Sequence, residues 1–140
     1  MGKVETLLTQ IPQEDYPIQD LNDRNPDAQP FNSVCIQECA RMNQLVQTMR
    51  SSLLELQLGL KGELSMSDAM ERLMDALYLD KIAATWVKYA YPSLKKLPLW
   101  MSDLELRIKQ LSDWSNDLSL PKVVWLPYLF NPQSFLRAVL

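Results

Sequence analysis

Eight apolar residues, Cys35, Cys39, Met42, Val46, Met49, Leu53, Leu56 and Leu60, follow one another at spacings of 4, 3, 4, 3, 4, 3 and 4. A helix turns once in about 3.6 residues, so that spacing lines all eight along one side. The run commits the middle of the chain to one long helix. Asn32 or Ser33 can cap its start, and Gly62 lies just past its end. A stripe of about four heptads would serve a two-stranded coiled coil. Leu45, Leu54 and Leu58, however, widen the apolar face beyond a two-helix seam. The pattern therefore predicts a long helix packed inside a multi-helix bundle.

The flanking segments point the same way. Val4, Leu7, Leu8 and Ile11 share one face of a short helix, and Pro12 to Pro30 carries four prolines among Asp, Asn and Gln, which reads as an extended connector. Beyond Gly62, Ser65 or Ser67 can cap a helix that turns Met70, Leu73, Met74 and Leu77 inward. Ile82–Tyr91 reads as an aromatic-rich helix closed by Pro92. Pro98 opens another, in which Leu97, Met101, Leu104, Ile108 and Leu111 repeat the heptad spacing and which ends before Pro121. Val123–Leu126 is apolar and β-branched, as a short extended segment would be. Asn131 and Pro132 then suit the cap and first position of a last helix, with Phe135, Leu136, Val139 and Leu140 on one face. No stop signal comes after it, so the chain reads as a fragment of something larger. The expected fold is all-α, a multi-helix bundle with long antiparallel members.

Composition narrows the chemistry. The chain has 140 residues, 47% hydrophobic and 22% charged, enough for one packed core. A net charge of −3, with basic residues scattered except for Lys95-Lys96, argues against nucleic acid or an anionic membrane as partner. There is no histidine, and the three glycines cannot write a phosphate-binding loop. Cys35 and Cys39, four apart on a helix, make a poor metal site and a poor disulfide, and read as two buried thiols. The tryptophans and tyrosines at helical spacing read as core, or as interface where exposed. No catalytic, cofactor or metal site is expected. The packing or interface candidates are Met42, Val46, Met49, Leu53, Leu56, Leu60, Trp86, Leu104, Ile108, Trp114, Trp125, Phe130 and Phe135. Read from residues alone, an independent interaction module binding another helix through the 35–60 stripe is one way to use such a surface.

A set of ordered motifs adds a second line. Gln37-Glu38 with Arg41-Met42-Asn43 fits Q-E-x-x-R-[FYM]-N, Arg50-Ser51-Ser52-Leu53 fits R-x-S-L, and Leu60-Lys61-Gly62 fits [IL]-K-G. Leu64-Ser65-Met66-Ser67, Trp86, Tyr91-Pro92-Ser93-Leu94-Lys95, Asp103-Leu104 with Arg107, Trp114, Trp125-Leu126 and Phe130–Leu136 come next in order. From Val34 onward the chain thereby resembles the start of the C-terminal domain of dynein heavy chains. Residues 3–31 resemble the stretch that closes the sixth AAA+ module. The run Gly59–Leu64 with Asn131-Pro132-Gln133-Ser134 is more similar to axonemal, outer-arm-type chains than to cytoplasmic ones. One departure stands out: where the family has W-L-[SA]-G-[FL]-F, this chain has Trp125-Leu126-Pro127-Tyr128-Leu129-Phe130.

The resemblance implies a division into residues 1–31, the end of the last AAA+ module with a Pro-rich connector, and residues 32–140, the first part of the C-terminal helical domain. It implies a non-catalytic structural and regulatory segment of the minus-end-directed microtubule motor of cilia and flagella, packed on the AAA+ ring. ATP and Mg would bind elsewhere in the parent motor. The implied partners are the AAA+ modules and the rest of the C-terminal domain, with other dynein subunits and microtubules reached through the parent. The implied location is cytoplasmic and cytoskeletal, in the axoneme.

Overall fold

The computed structural model describes residues 2–25, 30–91, 93–117 and 129–139. Its elements, in order, are α1 (Gly2–Gln10), α2 (Ile18–Asp23), α3 (Pro30–Leu60), α4 (Asp68–Tyr78), α5 (Ala84–Val87), α6 (Leu97–Asp117) and α7 (Pro132–Val139). Among the described residues every regular element is a helix.

The heptad stripe becomes α3, a helix of 31 residues and so about 45 Å long. It is the axis of the fold, with α1, α2, α4, α5, α6 and α7 all packed against it. Cys35, Cys39, Met42, Val46, Met49, Leu53 and Leu56 are buried, and Leu60 is partly so. No free seam is left for a second copy to zip along. Of the three leucines expected to widen the face, Leu45 is buried, whereas Leu54 and Leu58 are only partly covered, at 44% and 36% exposed. α6 runs antiparallel to α3. Tyr16 bridges Asn43 of α3 to Ile108 of α6, while Trp86 links Ser52 further along α3 to Trp100 near the start of α6.

Three boundaries differ from the sequence expectation. α3 starts at Pro30 rather than after Asn32 or Ser33; a proline loses nothing at the first helical position. The connector is not wholly extended. Six residues between Pro17 and Arg24 coil into α2, which carries Leu21 fully into the core. The aromatic segment forms only the single turn Ala84–Val87 instead of a helix over Ile82–Tyr91. There Trp86 and Tyr91 both stack on Trp100, at centroid distances of 6.2 and 5.5 Å, and the backbone breaks to let both rings reach it.

The α3–α4 link obeys the expected signals. Gly62 takes φ +80° just past the end of α3, a conformation that suits glycine. Ser67 caps α4, its hydroxyl accepting from Met70 N–H at 3.2 Å. Met70, Leu73 and Leu77 point inward, but Met74 is only partly covered, at 38% exposed. The expected extended segment Val123–Leu126 lies outside the described residues, as do Trp125 and the side chain of Phe135.

Candidate coupling site on the long helix

A helix with its apolar stripe in the core leaves polar residues at the margins of that stripe, where they can reach neighbouring backbone. On α3 Asn43, Arg50 and Glu38 do so, and Ser52 reaches a neighbouring side chain. Asn43 Oδ1 accepts from Tyr16 N–H at 2.8 Å, and its Nδ2 donates to the Tyr16 carbonyl at 3.0 Å. Arg50 donates to the carbonyl of Pro12 at 2.9 Å and to the Asp15 carboxylate at 3.3 Å; Gln47 donates to that same carboxylate. Ser52 Oγ accepts from Trp86 Nε1 at 2.9 Å and donates to the Met49 carbonyl at 3.0 Å. Glu38 accepts from the backbone N–H groups of Phe130 and Asn131 at 2.6 and 2.9 Å, just ahead of α7. Backbone groups at such places need partners, and here α3 supplies them.

Residues 12–25 thus form a strap across α3 and α6. At its far side the Tyr16 hydroxyl donates to the Ile108 carbonyl at 2.9 Å and lies 3.1 Å from Ser112 Oγ. Burial pushes the Tyr16 phenol well above its usual range, which keeps it a donor. Arg24 donates to the carbonyls of Asn116 and Ser115, both at 2.8 Å, in the last turn of α6.

At the opposite margin α3, α6 and α7 meet in a buried polar node. Glu38 is 2% exposed, and burial raises its pKa against the opposing effects of the Phe130 and Asn131 N–H groups, Arg41 and Arg107. Arg107, buried on α6, places its guanidinium carbon 3.3 Å from the centre of the Tyr91 ring. Tyr91 meets Phe130 edge-on at 5.6 Å, and burial raises its phenol pKa while Arg107 opposes the rise. Neighbouring α3 residues Cys35 and Cys39 are free and buried.

Most of the residues singled out from sequence sit in the core. Met42, Val46, Met49, Leu53, Leu56, Trp86, Leu104 and Trp114 are buried, and Leu60, Ile108 and Phe130 partly so. Their apolar surface is spent inside this chain. Sequence reasoning quoted Glu38, Asn43, Arg50 and Ser52 as motif letters without giving them work, and it passed over Tyr16, Arg24 and Trp100. The available signal was that specific polar types, not merely polar ones, border the stripe in the matched motifs. The donors and acceptors of the site hold backbone in place. Among the described residues no group of three or more His, Cys, Asp or Glu could hold a metal ion. No helix among them is long and apolar enough to cross a membrane.

The family model for the C-terminal domain of the dynein heavy chain matches residues 1–140. The protein belongs to that family. Among its relatives is a ciliary dynein beta chain of Tripneustes gratilla, 49% identical over 141 residues that include 99% of this sequence. A pig protein named dynein axonemal heavy chain 11 is 47% identical across 98% of it. The dynein beta chain of the flagellar outer arm of Chlamydomonas reinhardtii is 54% identical across 83%. The resemblance to axonemal heavy chains read from the motifs therefore holds. The chain spans 3% of the length of each of these relatives. The match runs along the sequence from end to end and favours a segment of a dynein heavy chain over the free-standing interaction module.

Proposed function

We propose that this segment couples movement between neighbouring parts of an axonemal dynein heavy chain, without catalysing a reaction itself. The observation that carries the reading is that the strap and the start of α7 are both clasped to the same helix, at Asn43 and Glu38. A stiff helix gripping two segments passes a displacement of one to the other better than a flexible link can. Residues 1–31 would be the end of the last AAA+ module, pulling through the strap, and residues 32–140 the first part of the C-terminal domain. ATP and Mg would act in other modules of the parent, a minus-end-directed microtubule motor of the axonemal cytoskeleton in cilia or flagella. The segment's direct partners would be the AAA+ modules and the rest of the C-terminal domain.

The test is a full-length motor with Asn43→Ala and Glu38→Gln together. ATP turnover should persist while gliding velocity or stall force changes. If velocity, force and turnover all match the unaltered motor, coupling through these clasps is refuted. Loss of turnover and motility together, in a motor that still folds, would overturn the reading by making the clasps necessary for catalysis.

A further inference from the structure

One end of the bundle differs from the rest of the surface. Lys81 to Ser102 include four lysines and no acidic residue, although the net charge of the whole is −3. The acids flanking that stretch are both engaged, Asp80 by Lys3 and Asp103 by Lys95 at 2.7 Å. Lys81, Lys88 and Lys96 have no ion-pair partner among the described residues. The same stretch gathers the exposed apolar groups. Among the described residues, every large hydrophobic side chain more than half exposed falls between Tyr78 and Leu99: Tyr78, Leu79, Val87, Leu94 and Leu99.

These groups are brought together by fixed structure. Leu97 N–H donates to the Asp80 carbonyl at 2.9 Å, which sets residues 79–81 beside the start of α6. The Trp86–Trp100–Tyr91 stack draws α5 and the segment before α6 to the same place. The backbone that carries the surface is thus set in advance, and binding would have to order only its exposed side chains.

We propose that this end of the bundle, α5 with the start of α6, docks an acidic segment of another stretch of protein that presents apolar side chains beside its carboxylates. Leu94 and Leu99 would supply the apolar contact, and Lys81, Lys88 and Lys96 the charge match. The protein as a whole is acidic, which disfavours an extended polyanion or an anionic bilayer. A short acidic segment lies within about one Debye length, roughly 8 Å at physiological salt, of the local lysines alone. The inference does not depend on the coupling role proposed above, since it concerns other residues at another end of the fold.

The probe is a fluorescent peptide of about 18 residues, designed as a helix with leucines on one face and glutamates on the other. It is titrated against the 140-residue protein. The peptide should bind more tightly than versions with lysine in place of glutamate or with the leucines scattered, and more weakly as salt rises. Lys88→Glu with Lys96→Glu, and separately Leu94→Ser with Leu99→Ser, should each weaken binding by at least about tenfold, or ~1.4 kcal/mol. All four side chains are exposed, so melting should be unchanged; if a double variant melts early, Lys96→Ala and Leu94→Ala singly take its place. Equal affinity for the basic peptide, or affinity untouched by either pair of changes, would overturn the proposal. So would binding to phosphatidylserine vesicles at least as tight as to the peptide.

Discussion

Asn43 holds the backbone of Tyr16 by both its ends, accepting from the N–H at 2.8 Å and donating to the carbonyl at 3.0 Å. One amide side chain thereby stands in for the partner strand or turn that an isolated stretch of connector lacks. Asn43→Ala leaves two part-buried backbone groups without those bonds and should cost about 1–3 kcal/mol. A lowered urea midpoint with an unchanged slope is the expected readout. Thr48→Ala, which removes only a hydroxyl bonded back to its own helix at Gln44, should change the midpoint far less.

Glu38 predicts a pH dependence of definite sign. Its folded pKa is raised by burial, so over a window of pH the folded state keeps a proton that the unfolded state has lost. That contribution to stability is fully present below the unfolded pKa and fades as pH rises through the folded one. Glu38→Gln cannot titrate. The stability advantage of the native protein over this variant should therefore shrink from acid towards neutral pH, and a difference that stays flat in denaturation curves would contradict it.

The two thiols should be silent in the folded protein. The Cys39 thiol is pushed far above its usual pKa, first by its hydrogen bond to Cys35 and then by burial. The thiolate is the reactive form, so alkylation by iodoacetamide should wait on unfolding. Labelling rates measured at increasing urea should track global unfolding, and fast labelling without denaturant would reveal a local opening of α3 instead.

The α3–α4 link should be sensitive at its two ends. Gly62→Ala forces a Cβ into φ +80° and should cost about 1 kcal/mol. Ser67→Ala removes the cap on α4 and should cost a similar amount, about 1 kcal/mol. Thermal melts of the two single variants and the double variant would check both values and their additivity.

The stripe from Cys35 to Leu56 could be read directly because helical burial repeats at a fixed spacing, and the cap at Ser67 and the turn at Gly62 could be read because each depends on one residue's local chemistry. The turn α2 could not. It contains one strongly buried residue, Leu21, and no period that could announce it. Ile82–Tyr91 looked helical because its aromatics are helically spaced, yet their rings answer to Trp100, which is remote in sequence. The polar clasps were invisible for the same reason: Asn43 and Tyr16 are 27 residues apart, and Glu38 and Phe130 are 92 apart.

From Glu38 to Ser52 the four clasping residues lie along α3 without a break, over a length of about 21 Å. The helix therefore works as a ruler as well as a rod. One residue inserted between Glu38 and Asn43 would advance everything beyond it by about 1.5 Å and turn it by about 100°. Asn43, Arg50 and Ser52 would all swing away from their partners while α7 stayed attached. Length changes that a surface loop absorbs would here misalign both ends of the segment, so natural variation in length should avoid this stretch of α3 even where single substitutions are tolerated.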